Sequence, residues 1–278
     1  MNDRTIGPVL INGDEFAPAE ATVSIFDIGF QRGYGCFEAM RTYNGCVFRL
    51  GHHLDRLEQS AGNLRIGLPP REELEAWGVR VGGGGDGVLR MYVTGGPDPQ
   101  HLGTDNVVIV YLEPVPDVPS SVRLDLIDAP WHADGRMSEL TGAKTLSYGP
   151  NLAATLGAKS RGYDDAALVG QDDVVLEGPT FSLGWVTDGV LYTPSLETSI
   201  LASITRQATI ETAALLGIAT EIGRFRSERL LEADEVFVMS TVKEVLPVTA
   251  VGEVAYAPGP VTQRLRKGFL ALVEVECP

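Results

Sequence analysis

Apolar and polar positions alternate over short runs in the first third of the chain. Val9-Leu10-Ile11-Asn12-Gly13-Asp14 reads as a short strand entering a turn, and residues 21–26 read as another strand. Gly29, Gly33 and Gly35 then punctuate a segment ending in Phe37-Glu38-Ala39-Met40-Arg41-Thr42-Tyr43. Asn44-Gly45 is a strong hairpin signal, because both residue types accept positive φ, and residues 46–50 supply the returning strand. At His52 the period changes. Leu54, Leu57 and Ala61 recur at helical spacing, predicting an amphipathic helix that ends at Asn63. Pro69-Pro70 precedes a second short helix over residues 71–77, and residues 81–87 read as a glycine connector leading to strands over 87–94 and 106–112.

Glu113-Pro114-Val115-Pro116-Asp117-Val118-Pro119 reads as a linker between domains, since three prolines cannot belong to one central strand or helix. Beyond it the pattern predicts strands over 122–127, 166–169, 174–176 and 183–186. Asp188-Gly189 is a hairpin turn into Leu191-Tyr192-Thr193. Helices are predicted over 151–162, 205–216 (with Gly217 as C-cap) and 261–273, and a strand over 235–239. The expected architecture is a two-domain α/β (α+β) protein rich in antiparallel hairpins. A small N-terminal α/β domain runs over 1–115 and a larger C-terminal domain over 116–278.

Composition narrows the function classes. Hydrophobic residues make up 44% of the chain and charged residues 21%, the balance of an ordinary globular protein. A formal net charge of -15 works against nucleic acid and against anionic membranes, because both require positive charge. No apolar run approaches the roughly 18–20 residues of a membrane span, and the first residues show no secretory pattern. Cys36, Cys46 and Cys277, an odd count without a pairing pattern, argue against a disulfide framework and for a cytoplasmic protein.

Candidate chemistry is sparse. His52 and His53 are adjacent in a predicted helix and so point to different faces. His101 and His132 stand alone, and no metal site is expected. No Gly-x-Ser-x-Gly elbow occurs, and Cys36 beside Phe37 reads as a small core residue rather than a nucleophile. Of the 22 basic residues only Lys144, Lys159, Lys243 and Lys267 are lysines. Lys159 and Lys267 read as solvated helix faces and Lys243 as an exposed strand or turn residue. Lys144, in Leu140-Thr141-Gly142-Ala143-Lys144-Thr145-Leu146, alone has small and apolar neighbours on both sides. Partial burial favours the neutral amine, which is the form that attacks an aldehyde. Seen alone, such a lysine is more readily a stem packed on apolar surface with its head in water.

Context changes the weight. Lys144-Thr145-Leu146-Ser147-Tyr148-Gly149-Pro150-Asn151 is followed by Leu176-Glu177-Gly178-Pro179-Thr180-Phe181. Ile200-Leu201-Ala202-Ser203-Ile204-Thr205-Arg206 and Ser240-Thr241-Val242-Lys243-Glu244-Val245 come next, and residues 29–45 and 53–61 precede the series. This order of motifs resembles the fold-type IV pyridoxal-phosphate enzymes. That group contains branched-chain and D-amino-acid aminotransferases, (R)-selective amine transaminases and 4-amino-4-deoxychorismate lyase. The resemblance covers roughly residues 8–250.

The resemblance implies a role for each matched position. Lys144 would hold pyridoxal 5'-phosphate as a Schiff base and carry the transferred proton, and Glu177 would face the pyridine nitrogen, with Thr180 nearby. Arg56, Ser240, Thr241 and the backbone N–H groups of Ile204 and Thr205 at a helix start would hold the phosphate. Tyr148 would bond the ring oxygen, and Leu201 would pack under the ring. Phe30, Arg32 and Arg90 are the positions expected nearest the substrate.

The chain also departs from the family. Val93-Thr94-Gly95-Gly96 followed by Pro99-Gln100-His101-Leu102 lacks the arginines with which D-amino-acid enzymes trap a carboxylate. The resemblance therefore implies an aminotransferase, a homodimer that moves an amino group from an amino acid or (R)-amine to a 2-oxo acid. A lyase releasing pyruvate and 4-aminobenzoate is the rival.

Overall fold

The alternating runs at the start of the chain pair as an antiparallel sheet. The computed structural model describes residues 4–97, 105–133 and 138–278. Its first elements are β1 (Ile6–Ile11), β2 (Asp14–Phe16), α1 (Ile28–Arg32), β3 (Gly35–Tyr43), β4 (Cys46–Val47), α2 (Leu50–Asn63), α3 (Arg71–Gly82), β5 (Gly87–Thr94) and β6 (Val108–Glu113). The strands lie in the order β2-β1-β6-β5-β3-β4. Asn44 and Gly45 both take positive φ and join β3 to β4 with Tyr43 opposite Cys46, as the sequence predicts. Period-two alternation sends Cys36, Glu38, Met40 and Thr42 of β3 to the buried face, and Phe37, Ala39, Arg41 and Tyr43 to the other. Leu54, Leu57 and Ala61 of α2 and Leu74 and Val81 of α3 join Met40, Leu89, Met91 and Leu112 in the core of this sheet. Each fully buried aliphatic side chain there contributes about 1.5–3 kcal/mol.

The later elements are β7 (Val122–Asp128), α4 (Gly149–Ser160), β8 (Asp165–Val169), β9 (Ser182–Thr187), β10 (Val190–Pro194), α5 (Ile204–Leu215), β11 (Thr220–Gly223), α6 (Ser227–Leu231), β12 (Glu235–Ser240), β13 (Glu244–Val251), β14 (Val254–Ala255) and α7 (Pro260–Glu276). They build a mixed sheet in the order β11-β10-β9-β12-β13-β7-β8, with β14 paired to β13. The pairs β10/β11, β13/β7 and β7/β8 are parallel, while β9/β10, β9/β12 and β12/β13 are antiparallel, the first and last of them as hairpins. Trp185, Leu183, Val236, Val238, Leu246 and Val248 centre its core.

By internal contacts the chain forms two units. The first comprises Met1–Pro116, Ala143–Tyr148 and Val273–Pro278, and the second Asp117–Gly142 and Gly149–Leu272. The lysine segment was expected in the C-terminal domain; it belongs instead with the first unit. The cause is backbone pairing to the free edge of β3. Phe37 N donates to Lys144 O (3.0 Å), Leu146 N donates to Gly35 O (2.9 Å), and Cys36 bridges Thr145. Gly35 permits this approach, because a Cβ there would collide with the Val93 carbonyl oxygen and the Leu146 side chain.

Other expectations need correction. Residues 21–26 form no strand; they have no neighbour to pair with, and Ile25 and Phe26 make a turn whose side chains are 66% and 65% exposed. Residues 174–176 make only isolated bridges, to Val169 and Arg226. Helix α3 runs on through Gly82, into the expected glycine connector. Cys46 and Cys277 form a disulfide, although their separation of 231 residues leaves no local spacing to read. Cys36 is a free, buried thiol. Among the described residues, no helix is long and apolar enough to cross a membrane.

Candidate active site

In the first unit, four elements converge on Lys144. Its backbone N–H donates to Ser60 Oγ of α2 at 3.0 Å, and Ser147 Oγ donates to Gly33 O at 3.0 Å. The side chain is half-buried, and Nζ donates to Tyr148 Oη at 3.1 Å. Nζ lies 4.4 Å from the Phe37 ring centroid and 5.2 Å from that of Tyr148, and these two rings meet edge to face at 5.2 Å. Phe37 also stacks on Tyr92 at 5.4 Å, and Tyr92 on Tyr111 at 6.0 Å, so a row of three rings crosses β3, β5 and β6 beside the lysine. Burial first, and then Tyr92, push the Tyr111 hydroxyl well above its ordinary range.

Behind this surface lies a buried charge cluster. Alternation along β3 places Glu38 in the core, where α2 presents His53 and Arg56 one turn apart. Arg56 Nε and Nη2 donate to the two Glu38 oxygens at 2.7 and 2.6 Å, and His53 Nδ1 lies 2.7 Å from Oε2. Burial pushes the Glu38 carboxyl up, but Arg56 and His53 outweigh it and hold it at about 2. Burial pushes His53 below its ordinary value against the pull of Glu38, so the ring is neutral and donates from Nδ1. The same burial, with Glu38 nearby, raises the Cys36 thiol to about 12, which excludes it as a nucleophile. The edge of Arg56 with which a bidentate phosphate contact was expected is thus taken by Glu38.

In the second unit, Glu177 follows the buried run Val174-Val175-Leu176 and is itself half-buried. Leu201 N donates to its carboxylate, 3.2 Å from each oxygen. His132 Nε2 lies 3.8 Å from Oε1, so the histidine expected to stand alone is a neighbour of this acid. Gly178 N donates to Phe181 O (2.7 Å) and Asn151 Nδ2 to Pro179 O (2.9 Å); these bonds fix the turn that carries the exposed Thr180. Ser203 caps α5 by accepting from Arg206 N, and the first intrahelical bond runs from Gln207 N to Ser203 O. The N–H groups of Ile204 and Thr205 therefore stand at a helix start, the natural place for an anion. Ser240 ends β12, and its Oγ accepts from Lys243 N at 3.0 Å; Thr241 opens the turn to β13.

The substrate candidates fare differently. Phe30 (73% exposed) and Arg32 lie on α1 and are open to solvent. Arg90 is engaged by Glu113 through Nε at 2.6 Å and through Nη2. It is therefore a structural ion pair rather than an open carboxylate trap. His101 and residues 99–102 lie outside the described residues. Among the described residues no cluster of metal ligands occurs.

Residues 35–251 match the family model for amino-transferase class IV. The chain is a class IV aminotransferase. This aminotransferase is 31% identical over 275 residues to a putative branched-chain-amino-acid aminotransferase of Methanocaldococcus jannaschii, covering 94% of each chain. It is 32% identical over 269 residues to D-alanine aminotransferase of Bacillus licheniformis, covering 93% of this chain and 94% of that protein. The solved fold IV transaminase of Curtobacterium pusillum superposes with a TM-score of 0.86 at 30% identity, over 95% of this chain and 92% of that one. The enzyme is a pyridoxal-phosphate-dependent transferase of fold type IV.

The aminotransferase's own residues fit that cofactor. Within the second unit, a helix start and two hydroxyls suit a phosphate dianion, and in the first a buried guanidinium is of the same chemical kind. A carboxylate suits a protonated ring nitrogen, and a lysine among aromatic rings suits an aldehyde. Sequence reasoning missed Phe37, Ser60, Glu38, His53 and His132. The first four stood inside quoted motifs, but nothing in one sequence shows that a strand's core face will bring a glutamate against a helix.

Proposed function

We propose that Lys144 is the cofactor-bearing and proton-moving residue of an aminotransferase taking an amino acid or (R)-amine as donor and a 2-oxo acid as acceptor. The observation that carries this is the placement of Nζ, bonded to Tyr148 Oη and set over Phe37. Bound pyridoxal phosphate supplies an aldehyde that condenses with amines and a ring that takes up an electron pair. Lys144 would hold that aldehyde through Nζ and, with its amine free, would carry the proton from the donor carbon to the carbon that had been the aldehyde. Tyr148 and Ser60 keep the lysine's path short by fixing its head and its backbone. Glu177, held by Leu201 N–H, faces the ring nitrogen and keeps a proton on it. Arg56, Ile204, Thr205, Ser240 and Thr241 bind the phosphate, Leu201 packs on the ring, and Thr180 borders it. The ring row of Phe37, Tyr92 and Tyr111 supports a donor with an apolar group.

Two further assignments belong to this proposal. The exposed Ile25, Phe26 and Phe30, and the exposed Leu152 and Leu156 one turn apart on α4, support a homodimer, which light scattering tests directly. A cytoplasmic location is proposed as well. Its test is the state of Cys46 and Cys277 in protein drawn from cells, where paired cysteines speak against a reducing compartment.

The central test is borohydride trapping followed by peptide mapping. The pyridoxyl label is expected on Lys144, and a label on any other residue overturns the assignment. Incubation with 4-amino-4-deoxychorismate and no amino acceptor separates the rival chemistry, since turnover to 4-aminobenzoate would mark a lyase.

A further inference from the structure

Three residues, Thr241, Val242 and Lys243, close the hairpin between β12 and β13, with Ser240 opposite Glu244. A lysine on so short an exposed-type turn can reach water at almost no cost. Lys243 does not. Its side chain is only 20% exposed and folds back, with Nζ 3.6 Å from Asp165 Oδ2 and 4.7 Å from the centroid of the buried Phe181 ring. Asp165 is prepared for it. Its other oxygen, Oδ1, accepts from Thr155 Oγ1 of α4 at 2.8 Å and from Ala166 N at 3.0 Å, which leaves Oδ2 turned to the lysine. At its backbone end Lys243 N donates to Ser240 Oγ. One residue thus ties the turn to the strand before it, to β8 and to the residue after Thr180.

We propose that Lys243 is a positioning residue that fixes the turn carrying Ser240 and Thr241, so that their hydroxyls are held ready for the cofactor phosphate. This rests on the reading above, in which Ser240 and Thr241 bind that phosphate. Burial pushes the Lys243 ammonium below its ordinary range, with Lys159 adding to the effect and Asp165 opposing it. Desolvating a charge costs free energy unless a partner offsets it, so the arrangement is sustained by Asp165 and the Phe181 face together. A solvated lysine would leave a three-residue turn free to rock, and a hydroxyl on a rocking turn binds a phosphate less tightly.

The test uses the full-length protein freed of cofactor and titrated with pyridoxal 5'-phosphate and, separately, with pyridoxal, which lacks the phosphate. Lys243→Met is expected to raise the Kd for the phosphorylated form about tenfold while that for pyridoxal stays within about twofold. Lys243→Arg restores the ratio. Asp165→Asn decides between positioning and bulk charge. It leaves the lysine in place and adds net positive charge, so a purely electrostatic role predicts tighter phosphate binding, whereas positioning predicts the same loss as Lys243→Met. Tighter binding by Asp165→Asn, or equal weakening of both ligands in Lys243→Met, overturns the proposal. Thr241→Ala guards the reading beneath it. If that variant keeps the full preference for the phosphorylated ligand, the phosphate assignment falls; if it loses the preference and Lys243→Met does not, only the role of Lys243 falls.

Discussion

The buried trio of the first unit and the acid of the second handle charge in opposite ways. Glu38 is wholly enclosed, and both of its oxygens are bonded by Arg56 and His53. Glu177 is half-buried, takes one backbone N–H between its two oxygens, and has His132 at 3.8 Å. The first arrangement is complete without a ligand and fixes a helix that also carries Ser60, the anchor of Lys144. The second is more open, with the Arg206 charge also felt there, and suits the contact with the ring nitrogen proposed above. Completed charge clusters set geometry, and incomplete ones receive ligands.

The contrast can be broken in order of effect. Lys144→Ala should lower transamination by about 10⁴-fold or more, read in a single-turnover assay, while the melting temperature barely moves. Glu38→Leu should leave Arg56 buried without its carboxylate and cost about 3–5 kcal/mol of stability in urea unfolding. Glu177→Gln should cut the rate about 10²-fold with stability changed by less than about 0.5 kcal/mol; an equal loss of stability would erase the distinction drawn here. Arg90→Ala, which breaks a partly exposed pair with Glu113, should cost about 1 kcal/mol or less and leave the donor preference unchanged.

Acid sharpens the same comparison. The Glu38 carboxyl sits at about 2 in the folded protein against an ordinary 4.5, so its contribution is full above pH 4.5 and is lost as pH falls towards 2. His53, held by burial below its ordinary 6.5, works in the same direction from that pH downward, because the unfolded chain gains the proton first. Stability measured from pH 7 down should therefore fall more steeply for the wild type than for Glu38→Gln, and equal slopes would remove the cluster from the account.

Much of the frame was readable from local chemistry. Asn44-Gly45 and Asp188-Gly189 dictate their turns, and the period of Leu54, Leu57 and Ala61 dictates α2. Lys144 was legible through its neighbours. What escaped the sequence is long-range. Residues 21–26 alternate like a strand but have no partner, whereas β11 and β13 have partners and went unread. Lys243 looked like an exposed strand or turn residue because Asp165 and Phe181 are distant in sequence, and Cys46 gave no hint of Cys277. Arg90 was read as a possible substrate contact, because nothing local announces that β6 places Glu113 beside it.

The chain passes from one unit to the other at 116/117, 142/143, 148/149 and 272/273. Scission at the proline-rich stretch would consequently not release two self-sufficient fragments. The Cys46–Cys277 disulfide would keep the pieces joined; with it reduced, the leading piece would lack the six residues that extend β3 and the tail from Val273, and the trailing piece would carry a lysine with no strand to align it. Mixing the two reduced pieces should restore reactivity only as they reassociate.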